Sequence, residues 1–208
     1  MEKDQTSVRD KRSLMDEKSE QSKNPILLMV YIHSDLDGYD INELNNDYFS
    51  WVRTELQDIS NRNIDMTLNT QSTSPEMANF NYKDNSSAYS LHRWSELVDK
   101  ARSKVPGAKF YHPKLIKHLL LTRDPINEKI AGVAYSKDEC GIASISSYMT
   151  PAHEVGHMLG ATHEDAETTY NGWWHDTIMK GSNAFHGNLY RFSDKNRESI
   201  RNYLSQFD

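Results

Sequence analysis

The feature that most restricts how this chain can fold is an eleven-residue segment from His153 to His163, with the pattern HExxHxxGxxH. Residues four apart lie on the same face of an α-helix, so a helix here brings the imidazoles of His153 and His157 towards one point. Gly160 adopts left-handed backbone angles at low cost and lets the chain leave that helix. The turn that follows returns His163 to the same point. The segment therefore predicts a helix that ends at a glycine turn, with three histidines around one position.

Three imidazoles arranged in this way are typical of a catalytic zinc site, because a fourth coordination position stays open for water. Glu154 follows the first ligand and is expected to act as a general base, not as a ligand. A structural zinc site usually has a fourth Cys or His ligand, and the single cysteine, Cys140, is not near the motif. We therefore predict one Zn²⁺ per chain, held by His153, His157 and His163, and an endopeptidase that uses Glu154 as its base. The alternative is a zinc-stabilised protein-binding module without turnover.

Hydrophobic periodicity predicts alternating strands and helices along the chain. An apolar run over residues 26–33 is typical of a strand buried on both faces. Next come a helix that is capped by Asp40 and has an apolar stripe ending at Ile59, a strand over 64–68 and a long loop over 69–90. A helix from Leu91 to Val105, strands over 116–122 and 130–135 and an edge strand over 141–148 follow. The motif helix is predicted to have Thr150 as N-cap and Pro151 in its first turn, and Ser193 is predicted to cap a last helix. This order predicts an α/β (α+β) fold in which helices cover a mixed sheet.

Composition divides the chain into a polar tail and one folded domain. Residues 1–24 are rich in charged residues, Ser and Gln and are predicted to be disordered, whereas residues 25–208 form the predicted metallopeptidase domain. The formal net charge of −6 argues against nucleic-acid binding. No apolar run approaches the length of about 18 residues that a membrane span needs. The N-terminus lacks the apolar segment of a signal peptide, which predicts a protein that is cytoplasmic as made or is secreted by a leaderless route.

The motif resembles that of the metzincin clan of metallopeptidases. A second mark of the clan, a methionine turn, is similar to Asp176-Thr177-Ile178-Met179-Lys180, in which Met179 lies sixteen residues past His163. In the clan this methionine lies under the metal and supports the histidines without binding the ion. The resemblance implies a zincin-like metzincin fold: a mixed twisted sheet, an active-site helix and a small C-terminal subdomain. It also implies an upper subdomain of about residues 25–160 and a lower one of about 161–208.

Within the clan the chain looks most like the reprolysin (adamalysin) family. Gly132-Val133-Ala134-Tyr135 resembles a strand motif of that family, and Tyr190-Arg191-Phe192-Ser193 resembles its segment before the last helix. Two departures stand against this. Reprolysins have Asp after the third histidine where this chain has Glu164, as in astacins, and the reprolysin disulfides are absent. Gly181 stands where astacins and serralysins carry a tyrosine, so no tyrosine ligand is expected there.

The resemblance also implies how a substrate binds. A protein or peptide in extended conformation is expected to pair antiparallel with an edge strand around residues 141–147, and residues 183–190 are expected to form the wall of the main specificity pocket. Cys140 is predicted to be a partly buried thiol, and Trp173 and Trp174 to lie in the core or the cleft wall. The remaining histidines do not have the spacing of metal ligands and are predicted to be surface or packing residues: His33, His92, His112, His118, His175 and His186. Of these, His175 and His186 are candidates for the cleft.

The biological role leaves two alternatives open, because an unregulated peptidase endangers its own cell. The single cysteine lies inside the predicted catalytic domain, so a cysteine latch is not expected. One alternative is a cytoplasmic peptidase with a very narrow substrate range. The other is a translocated effector toxin, in which residues 1–24 are the address or a flexible arm and an inhibitory partner protein blocks the cleft in the producing cell.

Overall fold

The computed structural model describes residues 23–104, 107–181 and 185–208. Nearly all of the predicted tail over residues 1–24, and the predicted helix end at Val105 and Pro106, lie outside these ranges. Among the described residues, no helix is long and apolar enough to cross a membrane.

Strands and helices follow one another broadly in the predicted order up to the motif helix, and beyond it the structure also contains three short strands that were not predicted. The strands are β1 (Ile26–Ile32), β2 (Ile64–Asn69), β3 (Ile116–Thr122), β4 (Gly132–Ala134), β5 (Cys140–Ser144), β6 (Thr168–Tyr170), β7 (Trp174–Asp176) and β8 (Gly187–Asn188). The helices are α1 (Ile41–Tyr48), α2 (Ser50–Ser60), α3 (Pro75–Ala78), α4 (Ser87–Ala101), α5 (Thr150–Met158) and α6 (Asp194–Leu204), joined by short 3₁₀ turns.

The main sheet has five strands in the order β2-β1-β3-β5-β4. Its strands are parallel except for β4, which runs antiparallel to β5. Every residue of β1 is buried, and alternate residues enter two different apolar clusters. Because both faces of the sheet are covered, the run at residues 26–33 needs no polar face, and the predicted mixed α/β architecture is confirmed.

Helices cover the two faces unequally, and this places the motif helix. The first cluster contains apolar residues of α1, α2, α5 and α6, whereas the second is closed mainly by Leu91, Trp94 and Val98 of α4. The helix that carries the histidine motif is therefore one wall of the larger core, which fixes its position against the sheet.

Two predicted elements differ in their bounds. The stripe from Asp40 to Ile59 is not one helix, because the fully buried Phe49 takes a φ of −127° and separates α1 from α2. Asp40 does cap α1, since its Oδ1 accepts a hydrogen bond from Asn42 N at 2.7 Å. The loop predicted over residues 69–90 contains α3 and the first turn of α4, which begins early because the Ser86 hydroxyl caps it.

The prediction of an edge strand near residues 141–148 is wrong. β5 pairs with β3 on one side and β4 on the other, and all five of its residues are buried. The half-buried β4 forms the edge instead, and no described strand pairs with its outer side. The five residues of β5 are small or apolar, which suits a central strand that is buried on both faces. A separate sheet, in the order β6-β7-β8, follows the motif helix.

Candidate active site

The motif helix α5 is oriented by its apolar residues. Ala152, Val155 and Met158 are at most 1% exposed and pack into the first cluster. Positions 153 and 157 lie on another side of the helix, so the two imidazoles face outward. The helix begins one residue earlier than predicted, with Met149 as N-cap and Thr150 as its first residue, while Pro151 lies in the first turn as expected.

The exit from α5 is held by backbone and side-chain hydrogen bonds. Gly160 has a φ of +94°, the left-handed conformation that glycine adopts most easily. Ala161 N donates to Gly156 O at 2.9 Å and closes the turn. Asn196 on α6 is fully buried, and its side chain holds the next residue through two hydrogen bonds. Its Oδ1 accepts from Thr162 N at 2.7 Å, and its Nδ2 donates to Thr162 O at 3.0 Å. This clamp fixes the residue before His163, and no periodicity in the sequence points to Asn196.

The three motif histidines meet at one point. Nε2 of His163 lies 2.8 Å from Nε2 of His153 and 3.0 Å from Nε2 of His157. One ligand atom from each residue lies within 4.8 Å of the others, and no other group of three His, Cys, Asp or Glu side chains in the described ranges offers such a set. Nδ1 of His153 faces Ile178 O at 2.9 Å, and Nδ1 of His157 faces Ala161 O at 3.2 Å.

These contacts fit a bound divalent cation. An Nδ1–H that donates to a carbonyl leaves the Nε2 lone pair of the same ring free for a metal. Burial lowers the pKa of His153 to about 4, and burial also lowers the pKa of His157, which favours the neutral form of both rings. Nitrogen lone pairs as close as 2.8 Å repel one another unless a proton or a cation lies between them. Three imidazoles in this geometry are a suitable donor set for zinc.

Glu154 lies beside the histidines in a tight, apolar setting. It is 4% exposed, and burial raises the pKa of its carboxyl to about 8. The described residues give its Oε2 atom no hydrogen-bond partner. A Cβ built on Gly132 of β4 would lie 2.6 Å from Oε1, so only glycine leaves room for the carboxylate at that position. The unpartnered oxygen suits a donor from outside the chain, such as a metal-bound water.

Met179 lies behind the motif helix, in the turn closed by the hydrogen bond from Lys180 N to Thr177 O. It is 1% exposed, and its Sδ would lie 2.7 Å from a Cβ on Gly156. The Cε1 atom of Phe192 would lie 2.6 Å from the same Cβ. The preceding residue, Ile178, supplies the carbonyl that faces His153. The turn thus supports α5 from the side opposite the sheet.

A buried lysine supports the C-terminal end of the motif helix. Lys117 of β3 is fully buried, and its Nζ donates to Met158 O at 3.0 Å, Asp138 O at 2.8 Å and Tyr203 Oη at 3.2 Å. Burial lowers its pKa to about 7. A cation is favourable at a helix C-terminus, where carbonyls are unpaired. The only signal in the sequence is a lone Lys within an apolar strand, which sequence reasoning did not use.

The histidine site opens into a cleft of about 300 Å³. Its upper rim comes from residues 129–132 at the start of β4, and its lower rim from residues 178–181. Of the predicted pocket wall over residues 183–190, Asn188 lines this cleft, while residues 183 and 184 lie outside the described ranges. The cleft therefore lies between the edge strand and the methionine turn.

The remaining predicted residues lie away from this cleft. Nδ1 of His175 faces Trp173 O at 3.1 Å, and Nδ1 of His186 lies 3.0 Å from both oxygens of Asp176. Neither histidine is among the cleft-lining residues. Trp173 and Trp174 are 60% and 49% exposed, so their prediction as core residues is wrong. β6 to β8 are too short to bury them, and Trp174 contacts the tilted ring of Tyr170 and stacks on His186. Cys140 is buried, and burial raises its pKa to about 12.

Comparison with known proteins supports the fold. No protein-family model matches the chain, and no curated protein matches its sequence. Among solved structures, the chain is similar to metalloproteinase-II from Bacteroides fragilis, with a TM-score of 0.54 and 18% sequence identity. The match covers 89% of this chain but only 55% of that protein. The chain therefore has an α+β, zincin-like fold and spans about half the length of the protein it matches.

Proposed function

We propose that the chain is a zinc-dependent endopeptidase. The observation that carries the proposal is the convergence of three Nε2 atoms beside a cleft that Glu154 also lines. His153, His157 and His163 hold one Zn²⁺ per chain through these atoms. When bound, the ion supplies a Lewis acid and a water molecule with a pKa near neutrality.

The chain's own residues then perform the proton transfers and position the substrate. The ionised form of Glu154 is favoured beside a bound cation, and in this form Glu154 accepts a proton from the attacking water and later donates it to the amine nitrogen that leaves. An extended peptide lies between the upper and lower rims of the cleft and pairs with the free edge of β4, which replaces the strand first predicted for that role. The cleft divides the domain of residues 25–208 into an upper subdomain of about 25–160 and a lower one of about 161–208.

We further propose membership of the metzincin clan, closest to the reprolysins. The buried Met179 against α5 supports the clan. The reprolysin-like strand motif is β4, and its glycine is the residue that makes room for Glu154. Phe192 of the second reprolysin-like segment packs on Gly156 of the motif helix. Both resemblances thus have a structural role next to the histidines.

Metal analysis and a protease assay of wild type and Glu154→Gln test the proposal. We expect about one zinc per chain in both proteins and cleavage of an unstructured protein substrate by wild type alone. Equal cleavage by both proteins would exclude Glu154 as the base. The rival function, a zinc-stabilised binding module, predicts zinc binding and unfolding on chelation but no Glu154-dependent cleavage of any substrate.

The role of a translocated effector toxin with an inhibitory partner protein is a separate proposal that rests on the sequence. It is tested by expressing wild type and Glu154→Gln in the producing host and in a target cell. Toxicity that requires Glu154 and affects only unprotected cells supports it. Harmless expression in both, with cleavage of one endogenous protein, supports a housekeeping peptidase instead.

A further inference from the structure

The charged side chains of the cleft suggest which peptides it accepts, and this inference rests on the proposed peptidase function. Lys129 lies on the upper rim, directly before the edge strand, and Lys180 lies on the lower rim, directly after Met179. Both lysines are exposed. The two lysines therefore line the cleft from its upper and its lower rim.

No carboxylate of the described residues forms an ion pair with either lysine. Other exposed lysines do have such partners: Lys83 pairs with Asp124 at 2.7 Å, and Lys114 pairs with Glu139 at 3.2 Å. Among the described residues that line the cleft, Glu154 is the only one with a carboxylate, and it is buried beside the histidines. The two cations thus face the cleft without an internal partner.

This local charge differs in sign from that of the whole chain, which carries a formal net charge of −6. A negatively charged peptide is therefore repelled by much of the surface and attracted at the cleft. Charges of opposite sign at a cleft raise the rate at which a ligand associates, and charges of the same sign disfavour the wrong ligand. The bound cation of the proposed metal site adds positive charge at the same place.

We propose that the peptidase selects substrates that carry Asp or Glu close to the scissile bond, with Lys129 and Lys180 binding these carboxylates from opposite walls. A carboxylate could also come from the C-terminus of a short peptide. The two sources differ in one respect that an experiment can use, because amidation removes the terminal carboxylate and leaves side chains unchanged.

The test uses zinc-loaded full-length protein and pairs of peptides that differ only by Glu or Gln at each position near the cleavage site. Each pair is made with a free and with an amidated C-terminus. For wild type we expect kcat/KM to be about tenfold higher for the Glu peptide than for the Gln peptide, which corresponds to about 1.4 kcal/mol. This ratio should fall as salt is added, because salt screens the attraction between charges. The preference is expected to persist with amidated peptides; a preference seen only with free C-termini overturns the side-chain assignment.

Variants separate the role of the lysines from a general effect on folding. Lys129→Met and Lys180→Met should each reduce the Glu-to-Gln ratio, and Lys180→Glu should reduce it further, towards a preference for the Gln peptide. Lys195→Met is the matched control, because Lys195 is exposed on α6 and does not line the cleft. An unchanged ratio in all three cleft variants overturns the proposal, even though cleavage continues.

Failure of the underlying peptidase function is recognised separately. In that case wild type cleaves neither peptide of any pair. Binding of the fluorescently labelled Glu and Gln peptides to zinc-loaded Glu154→Gln, followed by anisotropy, then measures selectivity without turnover. Tighter binding of the Glu peptide that Lys129→Met or Lys180→Met abolishes supports the proposal, and equal binding overturns it.

Discussion

Gly132 of the edge strand and Glu154 of the motif helix are in direct contact: a Cβ at position 132 would lie 2.6 Å from Oε1 and 2.9 Å from Cδ of the carboxylate. The main sheet therefore helps to set the position of the proposed base, because the missing side chain at Gly132 leaves the space that the carboxylate occupies. This contact joins the edge strand to the helix that carries the histidine motif.

Gly132→Ala should displace the Glu154 carboxylate, because neither β4 nor α5 has free space to absorb a contact of this length. We expect kcat to fall by about 10² or more, the usual contribution of a positioned general base, with zinc still bound. Steady-state kinetics and metal analysis measure the two effects. Val133→Ala is the control, because Val133 packs against the second cluster, away from Glu154. Full activity of Gly132→Ala would contradict the contact.

The buried Glu154 carboxyl should make the metal-free protein less stable as pH rises. Its pKa is raised from 4.5 to about 8 in the folded chain, so the folded state binds more protons than the unfolded state between these values. The stabilisation is complete below pH 4.5 and is lost as pH rises through 8. Urea unfolding in the presence of a chelator, from pH 5 to 8, should show wild type losing stability relative to Glu154→Gln. A pH-independent difference would contradict the prediction.

Lys117→Met should remove three hydrogen bonds at the end of the motif helix and leave Met158 O and Asp138 O without this donor. We expect a loss of about 1–3 kcal/mol in the free energy of unfolding. The pKa of Lys117 is lowered from 10.5 to about 7, so the lysine gives wild type a stability that falls as pH falls from 10.5 through 7. Chemical denaturation of both proteins at several pH values measures the difference, which should grow towards alkaline pH.

Arg62→Met provides a control for Lys117→Met. Arg62 is also buried and donates to two backbone carbonyls, Asn24 O and Leu204 O, but it lies away from the motif helix. Both variants should lose stability, whereas only Lys117→Met should weaken zinc binding, measured by competition with a chelator. Equal zinc affinity in all three proteins would limit Lys117 to a role in folding.

Gly156→Ala should force α5 away from the methionine turn, since the added Cβ would lie 2.7 Å from Met179 Sδ and 2.6 Å from Phe192 Cε1. Overpacking of this kind costs about 1–3 kcal/mol. Thermal unfolding and zinc competition measure the loss of stability and of metal affinity. Combining Gly156→Ala with Met179→Ala should recover part of the stability, because the truncated side chain leaves space. Strictly additive losses would contradict direct packing between the two residues.

Some elements of this fold could be predicted because their signals are local. The helical spacing of His153 and His157 and the cap at Ser193 each depend on a few neighbouring residues, and the structure contains α5 and α6 as expected. The apolar run of β1 indicated a strand buried on both faces, since no side of it could face water. These signals act over one or two turns of backbone and need no knowledge of the partner element.

The predictions that failed depend on which parts of the chain pack next to one another in the folded structure. The weak alternation over residues 141–148 favoured an edge strand, but the pairing of β5 with β3 on one side and β4 on the other is decided by the packing of the whole sheet. Phe49 divides α1 from α2 because its side chain enters the core. Trp173 and Trp174 are exposed because the sheet beneath them is too small to cover them.

The sequence alone determined the set of three histidines, the adjacent glutamate and the glycine turn, because ligand spacing on a helix is a property of the backbone. Tertiary structure alone decided what surrounds them: Gly132 against Glu154, Asn196 on Thr162, and Lys117 at the end of α5. These contacts join residues 22 to 41 positions apart in the chain. Burial and hydrogen bonding between such distant segments depend on how the sheet and the helices pack together. A local sequence pattern does not predict that packing.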